Sequence, residues 1–316
     1  MRGIGANGGV GTICLYGIFY IEKEGMTVSQ RFSYLFVLLG AILWGTTGTA
    51  QTFMPQTIHP LAIGASRLAV GGFSLLVILL IMRKIDFRNW PWKSTLYAAI
   101  SMAIFQYLFF SSVRLTGVAI GTVVTIGSAP VFSGIVEWLL LKRRPTPVWI
   151  MATALAIIGC ALLFLNKDGI LVNPIGVAMS LGAGLLFAFY TLVNKDVLDK
   201  VDAVPAVAVI FSMSALMLLP FLFLFETEGL MTGRGVSVVL YLGIVTTSVA
   251  YILFSAGLKR IPSSSAVTLS LAEPLTAALL SVIVVGERLN GTSWIGIAML
   301  LGGILVLTLS GRKVRV

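Results

Sequence analysis

Apolar positions run in blocks of about twenty residues along nearly the whole chain, and polar positions gather in the short gaps between them. The blocks fall at about 33–54, 60–82, 94–115, 118–141, 148–165, 174–195, 204–225, 236–258, 262–285 and 293–310. A helix rises ~1.5 Å per residue, so about twenty apolar residues cross the ~30 Å hydrocarbon core of a bilayer. The pattern predicts an all-α integral membrane protein of ten transmembrane helices. Short connections such as "MPQTIHP", "KRRPTP", "RIPSSS" and "GERLNGT" carry the breakers and caps that end one helix and start the next.

Composition agrees with that reading. The chain is 58% hydrophobic and 11% charged, with a mean hydropathy of +1.00, whereas a soluble domain carries about 25% charged residues. A net charge of +10 invites a nucleic-acid partner, but the basic residues sit in clusters between apolar blocks rather than along one polar face, so none is expected. Their distribution is a topology signal. Seventeen of the 22 lysines and arginines lie on one side of a ten-helix layout, four on the other, and Arg67 lies within the second block. Positive residues mark the cytoplasmic side, which predicts a multi-pass protein of the cytoplasmic membrane with both termini inside. Trp90, Trp92, Trp138, Trp149 and Trp294 fall near block ends, where an aromatic belt belongs, and Trp44 falls at mid-membrane.

Residues 1–25 contain a run, "VGTICLYGIFYI", too short to span and without a clear cleavage site. They are expected to be a poorly ordered extension, with Met26 as the native start and 1–32 as extension and cytoplasmic tail.

The chain also resembles itself. A shift of 144 residues sets "YLFFSS" at 107 on "YILFSA" at 251, Pro130 on Pro274, Arg144 on Arg288 and Gly159 on Gly303. A shift of 142 sets "LGAIL" at 39 on "LGAGL" at 181. This predicts two five-helix repeats, 33–165 and 174–310, and because five is odd the second enters the membrane inverted. Inverted repeats are a common build of secondary transporters, whose sites lie near the midplane between the repeats.

The stretches "LLGAILWGTTGT", "HPLAIGASRLAVGG", "GSAPVFSGIVEWLLLKRRPT" and "LAEPLTAALLSVIVVGERLNGTSWIGIAMLLGGI" resemble the EamA-type members of the drug/metabolite transporter superfamily. The resemblance spans about 33–310; it implies export of small metabolites, amino acids among them, through a central cavity. "LKRRPT" departs from the acidic turn expected after the fourth helix.

Glu273 and Pro274 stand side by side inside an apolar block. An ionisable residue there costs several kcal/mol unless it faces protein, a partner or water. One reading puts Glu273 on a transport path, exchanging a proton or holding an ammonium; the other makes it a protonated structural residue. Pro274 cannot bond the carbonyl of Ser270, nor Pro130 that of Ile126, and both are expected to kink their helices around a central path. Arg67 either snorkels outward, pairs with an acid, or binds a carboxylate. Glu137, one turn from "KRR", reads as an interfacial charge. Trp44, Thr47 and Gln51 share one helix face, as do Tyr107 and Ser111, Tyr190 and Asn194, and Thr247 and Tyr251; with Arg67, Ser270 and Glu273 these are the cavity candidates. Gly117 and Gly121 are expected to serve close packing.

Other classes fit poorly. No phosphate-binding loop occurs, and even the dipeptide GK is absent. One histidine, His59, and two separated cysteines, Cys14 and Cys160, give no metal site, cofactor site or disulfide framework. A membrane enzyme lacks a nucleophile–base set, and a structural or regulatory membrane protein is the remaining alternative. The expected partners are the bilayer and a small-molecule substrate. Two membrane acids permit proton coupling, and monomer and homodimer both stay open.

Overall fold

The computed structural model describes residues 26–54, 58–164, 173–225, 227–285 and 290–310. The 1–25 extension and the GERL turn at 286–289 lie outside them. Ten helices follow in order: α1 (Met26–Gln51), α2 (Pro60–Ile81), α3 (Trp92–Thr116), α4 (Gly121–Leu141), α5 (Pro147–Phe164), α6 (Pro174–Leu198), α7 (Ala203–Leu222), α8 (Gly233–Leu258), α9 (Ser263–Val284) and α10 (Gly291–Ser310). Among the described residues nine are long and apolar enough to cross a membrane, and α5 adds a shorter apolar run, Pro147–Leu162.

Side-chain and backbone caps set the helix starts. His59 accepts the Leu61 N–H at Nδ1 (3.2 Å) and is followed by Pro60 at the first helical position. Asn173 Oδ1 accepts the N–H groups of Ile175 and Gly176, again with proline, Pro174, opening the helix. Such caps satisfy donors that the helix itself leaves orphaned, and proline has no N–H to lose. Glu137 differs from its sequence reading. It is buried, and its carboxylate accepts the Ser264 N–H (3.0 Å), so it caps α9 from α4 across the two repeats rather than standing at the interface as a free charge.

The backbone is helical throughout Trp92–Leu141, yet a Cβ on Gly121 would lie 3.0 Å from the Cα of Val113, eight residues earlier. No straight helix brings such residues together. The direction therefore reverses between α3 and α4, and Gly121 lets the arms close.

The repeats interlock by exchange. In the α5–α10 pair, a Cβ on Gly159 would meet the Gly296 carbonyl and the Leu300 amide at 2.6 Å, and one on Gly303 would meet the Ala152 carbonyl at 2.6 Å and Ala156 at 2.9 Å. Adding 144 to 152 and 156 returns 296 and 300. The contact is the same one made twice, so the sequence shift is visible as a spatial relation. Elsewhere α1 packs on α8 and α9, α6 packs on α3 and α4, and α2 packs on α7. Small residues let the backbones approach, as membrane helix pairs require in the absence of a hydrophobic force between them. Buried hydroxyls add interhelical bonds, among them Thr125 to the Ser180 carbonyl (3.1 Å) and Thr153 with Thr268 (3.0 Å). Faces turned to lipid stay apolar, for example Ile81, Leu139 and Ile283.

Candidate functional site

A central cavity of about 270 Å³ lies between the repeats, walled by α1 to α4 from the first and by α6, α8 and α9 from the second. Its mouth is marked by Gln51, Pro60, Val113 and Thr122, near the ends of α1 and α3 and the starts of α2 and α4. It therefore opens toward the side where α1 ends and α2 begins. Its floor is aromatic: Trp44 stands 4.6 Å from Tyr251 and 5.1 Å from Phe254 between ring centroids, and Phe187, Tyr190 and Phe211 extend the layer. Below it Tyr34, Val37 and Ala41 of α1 are buried.

Each charged wall residue is positioned by its helix. On α2, Gly64 lies beneath the Phe110 ring, where a Cβ would meet Cε2 at 2.4 Å, and Arg67 follows one turn later on the same face. Arg67 is 8% exposed and lines the cavity, which excludes snorkelling. On α9 the helix breaks at Ser270 and Leu271 and resumes at Ala272. Glu273 projects from this resumed start toward the cavity, and a Cβ on Gly45 of α1 would lie 2.6 Å from its carbonyl oxygen. Among the described residues no ion pair joins Arg67 and Glu273. A guanidinium and a carboxyl group thus face one enclosed space without a direct bond between them.

The proline reading needs correction at its carbonyl. The Ser270 oxygen is not free, because the Glu273 N–H turns back to it at 2.9 Å. A three-residue closure of this kind absorbs the donor that Pro274 lacks. Pro130 behaves differently: α4 keeps a helical backbone through it. The pair is related in sequence and unequal in structure.

Trp44, Thr47, Gln51, Arg67, Tyr251, Ser270, Glu273 and Pro274 line the cavity. Five candidates do not: Tyr107, Ser111, Tyr190, Asn194 and Thr247. Tyr107 is 40% exposed and packs against Phe221 on the outer face of α3. Tyr190 is fully buried within the aromatic layer, its hydroxyl accepting from Asn194, which also donates to Ser255 (3.1 Å). Thr247 is pressed against Gly71 of α2 inside a π-helical stretch, Ile244–Val249, that sequence periodicity does not reveal. The neighbouring Ser248 donates to the Gly71 carbonyl at 2.9 Å. The α3 face that does reach the cavity carries Phe105, Gln106, Phe109, Phe110 and Val113, one position out of phase with Tyr107 and Ser111. A mid-membrane glutamine was the available signal for it.

His59 is stacked on Phe225 at 3.8 Å in the α1–α2 connection. Burial first, and the Arg114 charge second, lower its pKa from the ordinary histidine value, so it is a neutral cap at physiological pH.

Comparison with known proteins identifies the architecture. Uncharacterized transporter YwfM of Bacillus subtilis is 46% identical over 279 residues, covering 88% of this chain and 94% of that protein. The threonine/homoserine exporter RhtA of Escherichia coli K12 is 28% identical over 277 residues, covering 86% and 90%. A crystal structure at 21% identity superimposes with a TM-score of 0.78 over 89% of this chain and 98% of that one, a likeness of fold. The EamA-like transporter family matches residues 31–165 and again 174–309. With ten apolar helices, two repeats and a cavity between them, the chain is a multi-pass membrane transporter belonging to the EamA-like transporter family.

Proposed function

We propose that the protein exports small polar metabolites, amino acids or related compounds, across the cytoplasmic membrane by alternating access. The observation that carries this reading is a guanidinium, Arg67, and a carboxyl group, Glu273, facing one cavity built from both repeats without a direct bond. A cavity of about 270 Å³ between a guanidinium and a carboxyl group in hydrocarbon suits a solute with both an anionic and a cationic group. The similarity to a threonine/homoserine exporter supports the same class. The positive-inside bias supports cytoplasmic termini, and with them a cavity mouth on the outer face. The cavity is open outward in this reading, with the aromatic layer around Trp44 and Tyr251 as the closed inner barrier. In this reading Arg67, Trp44, Thr47 and Ser270 contact the solute, and Glu273 holds its ammonium or a coupling proton.

The test is counterflow in proteoliposomes, with an amino-acid mixture trapped inside and single labelled amino acids outside. Glu273→Gln keeps size and most hydrogen bonding but cannot ionise. Counterflow is expected to fall at least about tenfold, a change of ~1.4 kcal/mol in the limiting step, while expression and detergent stability stay near wild type. Unchanged counterflow in Glu273→Gln across pH 6–8 would make the carboxylate structural.

A further inference from the structure

We infer that Glu137 and Lys195 latch the end of the molecule opposite the cavity mouth, and that this latch holds the resting protein outward-open. The inference rests on the alternating-access reading above and names the contact that must break before the inner end can open.

Helix directions place the contact. The ends of α4, α6 and α8 and the start of α9 all lie at the end of the molecule away from the turn where α1 stops and α2 begins. There the α8–α9 connection is gripped from two helices: Lys195 of α6 donates through Nζ to the Ile261 carbonyl, and Glu137 of α4 accepts the Ser264 N–H at 3.0 Å. Glu137, Ile261 and Ser263 are all buried, so the grip is not a surface contact. α9 cannot supply the acceptor itself. Its cap position is Pro262, whose side chain carries no polar atom and makes no capping bond. The N–H groups that open a helix have no partner within it, so α9 takes its cap from the other repeat.

The two contacts differ in what they join. Lys195 and Ile261 both belong to the second repeat, so their bond sets the shape of the connection. Glu137 and Ser264 belong to different repeats, so rocking one repeat against the other to open the inner end parts them. Lys195 is therefore a positioning residue, and the Glu137–Ser264 bond is the latch. An orphaned donor costs free energy only where water cannot reach it. Once the inner end opens, water can take the place of Glu137, and the acceptor thus favours the inner-closed state alone.

The outer end has no matching pair. Shifts of 144 and 142 carry Glu137 to Ser281, Ser264 to Ile120 and Lys195 to Phe53. A mirror-image closure of the outer end would bring neither an acid nor an amine to its connection. The two closures are unequal, and the inner one is favoured.

The experiment reads both ends of the full-length protein in detergent by double electron–electron resonance, with Cys14→Ser and Cys160→Ala removing the native thiols. One spin-label pair, at Leu140 of α4 and Arg260 of the α8–α9 connection, reports the inner end. A second, at Leu115 of α3 and Leu279 of α9, reports the outer end; all four side chains are exposed. Glu137→Ala is expected to raise the population of a longer inner distance at least about tenfold over wild type, with a matching rise of a shorter outer distance. Lys195→Met is expected to shift both pairs the same way by a smaller factor. Glu137→Gln keeps an acceptor oxygen and is expected to fall between Glu137→Ala and wild type. Both pairs unchanged in Glu137→Ala would overturn the latch. So would a longer inner distance with the outer pair unmoved, because that is fraying of an uncapped helix and not exchange of the whole molecule. Should Glu137→Ala fail to fold, Lys195→Met decides by the same two pairs. Distances that shift as expected in a protein without counterflow would overturn the transport reading and leave the latch intact. Counterflow with both pairs unmoved in every variant would do the reverse.

Discussion

Glu137 shows how a single buried carboxylate ties the two repeats together. Its side chain is buried and accepts the Ser264 N–H, and removing it orphans a backbone donor. Glu137→Ala is expected to cost about 1–3 kcal/mol, read as a lower unfolding temperature in detergent, whereas Glu137→Gln recovers part of it. No loss in Glu137→Ala would mean that water replaces the carboxylate. Residues of this sort were partly legible in the sequence. Arg67 and Glu273 were conspicuous because a charge in an apolar block demands a reason, and both line the cavity. Glu137 was misjudged because the nearby lysine and arginines suggested an aqueous interface. Tyr107, Tyr190 and Thr247 were misplaced for another cause: a helix that is apolar all round carries no pattern telling lipid from interior, so one polar residue cannot set its rotation. Gln106 is adjacent to Tyr107 and lies on the face that matters.

At the scale of elements, helix existence was readable because bilayer thickness imposes block length, while interruptions within helices were not. The break in α9 at Ser270 and Leu271 follows from Pro274, a visible residue; the π-helical stretch at Ile244–Val249 has no sequence mark. Pro274→Ala supplies the missing N–H and is expected to rejoin the two parts of α9. Transport should fall several-fold while thermal stability holds or rises, since a proline-free helix interior is favoured. Full transport with a straightened helix would remove the break from the mechanism. The α5–α10 pair is expected to be less forgiving. Gly159→Leu inserts a side chain where even a Cβ meets backbone at 2.6 Å, so overpacking of at least about 1–3 kcal/mol is expected. An unfolding temperature equal to wild type would show that the pair is looser than its geometry.

For the whole molecule, the five-plus-five organisation was legible because repetition survives as spacing even where identities are sparse; depth and orientation rest on charge alone. Reporter fusions after residue 316 and within the 226–235 connection are expected to report opposite sides of the membrane, the first of them cytoplasmic. Matching signals would refute the ten-helix layout. The cavity draws Arg67 from the first repeat and Glu273 from the second, and the position matching Glu273 in the first repeat is Ala129. Paired copies of the first repeat alone would bring two guanidiniums to the centre, and paired copies of the second would bring two carboxylates. Joining unlike repeats in one polypeptide fixes their stoichiometry at one to one, so every folded chain holds one base against one acid and never depends on the chance assortment of separate subunits.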